Sequence, residues 1–207
     1  MGAVRGIRVV ATTALAVGAL LLTRRMTQTW GTWEGEHGCV LPGDDLVPDA
    51  RAVVATRAVT VDAPPSEVWP WLVQLGKRRA GWYLPRRVER FVPPGRRGLR
   101  HLDPAYLGLR VGDVIPDWGG ADETFTVAGL EPGHHLLHTS TRGRTAVNWC
   151  LLLTPEDAGT RLHLRLRLGP VRHRRLAEYG GGLVDLLTVA GLAAGLRERV
   201  ADPGRVG

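Results

Sequence analysis

Residues 55–83, ATRAVTVDAPPSEVWPWLVQLGKRRAGWY, constrain the fold more than any other part of the chain. From Thr56 to Val61 apolar and polar residues alternate, the period of a strand with one face buried. Ala63-Pro64-Pro65 stops that pattern, and Pro65 suits a first helical turn, where a missing N–H costs nothing. The spacing from Ser66 predicts a helix, with Val68, Trp71, Leu72 and Leu75 on one face and Gly76 placed to end it. A strand feeding a helix this short, with many more strands behind it, constrains the fold and not yet the function.

The rest of the chain supplies those strands. A short helix is expected over 86–91, closed by the loop 93–98, and a short strand over 111–115. Hairpin-like repeats follow: 123–130 and 135–141 around Glu131-Pro132-Gly133, then 145–154 after Arg142-Gly143-Arg144, then 160–168 after the turn 155–159. In the last of these Leu162, Leu164, Leu166 and Leu168 share one face, which predicts a core or cavity wall. Arg161, His163, Arg165 and Arg167 share the other, which predicts a wet surface. Residues 174–200 read as a helix with a weak point at Gly180-Gly181-Gly182. From Leu183 to Leu196 it is apolar nearly all round, and Asp185 argues for burial against the sheet over a membrane span. The Gly191 and Gly195 spacing reads as close packing.

Residues 1–25 form a separate unit. Arg5 and Arg8 precede the uncharged run VVATTALAVGALLL, and Arg24-Arg25 follow it. That run is shorter than the about 17–25 residues of a spanning helix. Extension over 7–23, with Arg8 snorkelling, brings it close. A signal peptide competes, but no small-x-small cleavage site follows, so a single-pass N-terminal membrane anchor is favoured. Arginines flank both ends equally and leave its orientation open. Residues 26–51 then read as a linker, 52–200 as the folded domain and 201–207 as a tail. The formal charge of +7 rests on arginine, Lys77 being the only lysine. It permits attraction to anionic lipid, reads first as codon bias, and carries no expectation of a nucleic-acid partner. Cys39 and Cys150 fit neither a disulfide framework nor a metal spacing.

The sequence Pro42-Gly43-Asp44-Asp45-Leu46-Val47-Pro48, then Ala63-Pro64-Pro65, Val68-Trp69-Pro70-Trp71-Leu72-Val73-Gln74-Leu75-Gly76 and Arg79-Ala80-Gly81-Trp82-Tyr83, with Val111-Gly112-Asp113 later, resembles the START-like (SRPBCC, polyketide-cyclase-related) superfamily. The resemblance runs over 41–167 and is nearest to actinobacterial, membrane-anchored members. It implies an α+β helix-grip fold: a curved antiparallel sheet on a long C-terminal helix around an apolar cavity, here preceded by the N-terminal hydrophobic helix. It implies no single reaction, because one fold serves many functions.

Site candidates follow from chemistry. Trp71, Trp82 and Trp149 are candidate cavity walls, with Gln74, Tyr83 and Asn148 as polar groups that fix a ligand's orientation. Asp113 is a possible acid or base, although Gly112-Asp113 reads more simply as a turn. Arg78, Arg79, Arg86 and Arg87 form a candidate rim for membrane or anion contact. His134, His135 and His138 are the densest histidine group, but His135 and His138 diverge along a strand and His134 falls in a turn, so no metal is expected. No cofactor fingerprint occurs. The expected function is binding of a hydrophobic small molecule, lipid or polyketide-like, by a membrane-tethered domain. The alternatives are a cyclase or aromatase acting on a polyketide-like substrate, and an interaction module with a filled core.

Overall fold

The computed structural model describes residues 29–47 and 52–202. The expected anchor over 1–25 and the end of the expected tail lie outside the described residues. The described residues form the helix-grip architecture. Strands β1 (Val53–Val61), β2 (Val114–Pro116), β3 (Thr124–Glu131), β4 (His135–Arg142), β5 (Thr145–Glu156) and β6 (Gly159–Gly169) make one antiparallel sheet in the order β1-β6-β5-β4-β3-β2. Helix α1 (Pro65–Gln74) follows β1 as its spacing predicts, burying Val68, Trp71 and Leu72. Two short helices, α2 (Arg86–Glu89) and α3 (Pro104–Leu107), lie between α1 and β2. Helix α3 falls between the loop expected over 93–98 and the strand expected over 111–115, where no element is expected. Asp103 caps it by accepting from the Ala105 N–H at 2.9 Å, and Pro104 opens it.

The long helix α4 (Arg174–Ala201) closes the concave side. Its first turns contain a π segment at Ala177–Gly181, where the glycine run weakens the helix. Its second half buries Val189, Leu192, Ala193 and Leu196 against Leu151, Leu162, Leu164 and α1, which together form the core. A Cβ on Gly195 would stand 2.5 Å from the backbone nitrogen of Leu84, so only glycine allows this approach. The Gly191 and Gly195 spacing therefore serves packing of α4 on the 83–84 segment.

One expectation is corrected. Arg161, His163, Arg165 and Arg167 are buried, not wet. Residues 29–47 lie across that face of β6 and supply partners for its cations. Arg161 pairs with Glu36 at 2.7 Å, donates to Gly31 O and stacks over Trp33. Arg165 pairs with Asp44 at 2.5 Å and donates to Cys39 O at 2.6 Å. Arg167 pairs with the other oxygen of Asp44 at 3.0 Å and donates to Val47 O. Leu41 packs on Leu137 and Cys150 between these pairs. Alternation tells which side chains share a face of a strand; it says nothing about what covers that face. Guanidinium groups tolerate such cover because their fixed fork of donors can be satisfied by carboxylates and carbonyls together.

Candidate functional site

Between the concave face and the first half of α4 lies a cavity of about 770 Å³, within the range of small-molecule sites. The ends of β5 and β6 contribute Val147, Trp149, Leu166 and Leu168, and α4 contributes Gly180, Gly181, Val184, Asp185, Thr188 and Val189. Trp82, Trp118 and Phe125 complete an aromatic wall. Trp82 donates from Nε1 to Thr188 O at 3.1 Å, which ties the wall to the helix. Trp82 and Trp149 stack at 6.0 Å between centroids, Trp118 meets Trp82 edge-on at 5.0 Å, and Phe125 tilts against Trp149 at 6.2 Å. His138 stacks beneath Trp149 at 5.5 Å, and burial, aided by the charge of Arg79, pushes it down to about 4. It is a neutral part of that wall at physiological pH.

Two acid–base pairs interrupt the apolar lining. Asp117 pairs with Arg142 from the tip of β4. The loop that holds Asp117 is fixed by Lys77, whose Nζ donates to Asp117 O at 2.9 Å and to Gly120 O at 2.6 Å. Asp185 on α4 pairs at 2.8 Å with Arg57, which rises from β1 and is 1% exposed. Burial raises the Asp185 carboxyl above the ordinary carboxylate range, and Arg57 pulls it only part of the way back. The cavity is thus apolar and aromatic, with each of these fixed charges matched by its opposite. Such a lining suits a largely uncharged hydrophobic ligand with a few hydroxyl or carbonyl groups.

The structure brings Trp82 and Trp149 together in this wall and places the other candidates elsewhere. Trp71 and Gln74 on α1, and Tyr83 packed beside it, are fully buried. The Tyr83 hydroxyl donates to Trp71 O at 2.8 Å and accepts from Gln74 Nε2 at 3.1 Å, while Gln74 Oε1 accepts from the Asp103 N–H. Burial pushes the Tyr83 phenol well above its ordinary range. That network knits loops together. Asn148 points to the opposite face of β5 from Val147 and Trp149, as strand alternation requires, and donates to Gly43 O. Asp113 is exposed and accepts from the Arg110 N–H at 2.8 Å, a turn contact. Arg78, Arg86 and Arg87 are exposed, but Arg86 is engaged with Asp202 and Glu198 near the far end of α4. Arg79 folds inward onto Val73 O, Tyr106 O and the Tyr106 ring. Those arginines do not make one continuous rim. Arg57, Asp117, Arg142 and Asp185 are the charges that reach or support the cavity. Asp117 belongs to the acidic group Asp113, Asp117, Asp122 and Glu123 that the sequence offers for acid–base work, and Asp185 stands out as an acid breaking an apolar helix, but Arg57 and Arg142 carry no such signal.

No protein-family model matches the chain, and no curated protein matches it. Among solved structures, the chain is similar to protein MLL2253 from Mesorhizobium loti, at 22% identity and a TM-score of 0.44 over 73% of this chain and 99% of that one. It is similar to protein NE0264 from Nitrosomonas europaea, at 17% identity and a TM-score of 0.47 over 74% and 96%. It is also similar to the Polyketide_cyc-like protein Cgl2372 from Corynebacterium glutamicum, at 17% identity and a TM-score of 0.35 over 73% and 88%.

Helix α4 is also the one candidate membrane span among the described residues by length and composition, with a mean hydropathy of 1.4. Only 33% of that apolar stretch is buried. Its second half grips the sheet, while Leu176, Leu183, Val184 and Leu187 of its first half stand exposed beside the cavity.

Proposed function

We propose that this domain binds a hydrophobic, largely uncharged small molecule of lipid or polyketide-like character in the cavity between α4 and the sheet. The observation that carries the reading is the aromatic and aliphatic lining, with its two internally matched ion pairs. A filled interaction module would not keep such a space. The membrane side of the reading is supported by the exposed leucines at the cavity's edge and by exposed Arg172, Arg174 and Arg175 just before them. Together with the apolar run at 9–22, these features favour a ligand that enters from an anionic bilayer. An enzymatic reading, of cyclase or aromatase type, rests on Asp185, whose raised affinity for a proton suits acid–base work on a ligand lying against it.

An uncharged fluorescent apolar probe such as N-phenyl-1-naphthylamine, titrated into the full-length protein, tests this reading. Val184→Trp places a large side chain at an exposed helical position of the cavity wall and should weaken probe binding by about tenfold, the cost of roughly 1.4 kcal/mol. Leu107→Trp, at an exposed position away from the cavity, should leave it unchanged. Equal binding by both variants and the unaltered protein would remove the cavity as the site.

A further inference from the structure

The β3–β4 turn holds a cluster that the cavity does not use. Glu131 ends β3, His135 opens β4, and the two are direct partners in the antiparallel ladder. Gly133, in a left-handed conformation, turns the chain so that His134 stands outside the strand alternation. The separation of neighbouring strand residues to opposite faces therefore does not apply to His134 and His135. The Leu153 N–H donates to His134 O at 2.7 Å and fixes the turn to β5.

Three ligand-type atoms converge there. His134 Nδ1 lies 3.1 Å from Glu131 Oε2, His135 Nδ1 lies 3.4 Å from the same oxygen, and the two Nδ1 atoms are 3.2 Å apart. The imidazole planes cross at 82°. Whatever tautomers the neutral rings adopt, at least one of these three contacts is lone pair against lone pair or N–H against N–H. A cation at the centre turns all three into attractions. The spacing has the right size. With metal–N and metal–O bonds of about 2.0–2.2 Å, two donors on a tetrahedral ion lie about 3.3–3.6 Å apart, and adjacent donors on an octahedral ion about 2.8–3.1 Å. The observed edges fall within that range.

We propose that Glu131, His134 and His135 form a binding site for a single divalent first-row transition ion of the zinc type. Imidazole donors select such an ion over magnesium or calcium, which favour oxygen ligands throughout. Glu131 and His134 are exposed, so the remaining coordination positions face solvent and are filled by water. The site stands at the opposite end of β4 from Arg142 and the cavity, roughly 20 Å away along the strand. Its effect is to clamp the β3–β4 turn, independently of the cavity's ligand.

Isothermal titration of chelator-treated full-length protein with zinc chloride, repeated with cobalt chloride while following visible absorption, tests the site. Saturation at one ion per chain is expected. Loss of a partner one bond beyond a ligand already costs about 10–100-fold in metal affinity, so Glu131→Gln, His134→Ala and His135→Ala should each weaken binding at least about tenfold. His173→Ala, an exposed histidine elsewhere, should leave it unchanged. The proposal is overturned by absence of saturable binding, or by binding that survives the combined His134→Ala and His135→Ala change. Loss shared equally by His173→Ala would reveal adventitious surface binding and overturn it as well.

Discussion

Asp44 divides its two carboxylate oxygens between Arg165 and Arg167, and its Oδ2 also accepts from the Leu41 N–H at 2.9 Å. Both guanidinium groups are buried, so removing the carboxylate takes a charged partner from each of them at once. Breaking a buried pair from one side costs about 3–5 kcal/mol. Asp44→Ala is therefore expected to destabilise the protein by about 3 kcal/mol, read as a lowered midpoint in urea denaturation. Asp45→Ala, its exposed neighbour, should change the midpoint little. At this scale the sequence was legible in part. Asp44 belongs to a recognisable motif, and the alternation of β6 tells that its arginines share a face. The partnership between them joins positions about 120 residues apart and has no local signature. Asn148 shows a related limit. Its oddity in an apolar strand was readable, but its position between Val147 and Trp149 already fixed it to the face away from the cavity.

At the scale of elements, α4 has two characters along one helix. From Val189 onward its apolar side chains complete the core, and Gly195 admits the backbone at Leu84. Before Val189 they line the cavity or face outward. The near-uniform apolarity of 183–196 was legible, and so was the grip on the sheet. Which half lacks cover depends on where the sheet ends, and periodicity does not carry that. An exposed leucine face next to arginines suits insertion into the headgroup region of an anionic membrane. Leu183→Asp with Leu187→Asp should reduce sedimentation of the protein with phosphatidylserine-containing vesicles several-fold, with thermal stability little changed because both positions are solvent-exposed. Undiminished sedimentation would remove this face of the helix as a membrane contact.

Across the whole molecule, two layers clasp one sheet. Residues 29–47 neutralise the buried arginines on one face, while α1 and α4 close the other and leave a cavity where α4 passes the ends of β5 and β6. The strands, their hairpins and the long final helix followed from periodicity and turn residues, and the helix-grip expectation from the motifs that carry the resemblance. The charged pairs of the cavity did not, because Arg57 and Asp185 come from the first strand and the last helix. Their matched charges keep the interior hospitable to an apolar guest and unwelcoming to a free ion. Native mass spectrometry of the full-length protein, purified from its host cells without exchange of bound lipid, tests this account most directly. A co-purifying hydrophobic molecule at up to one per chain, depleted in Val184→Trp, is the predicted result. A bare polypeptide mass that persists after incubation with the organic extract of the host cells would contradict it.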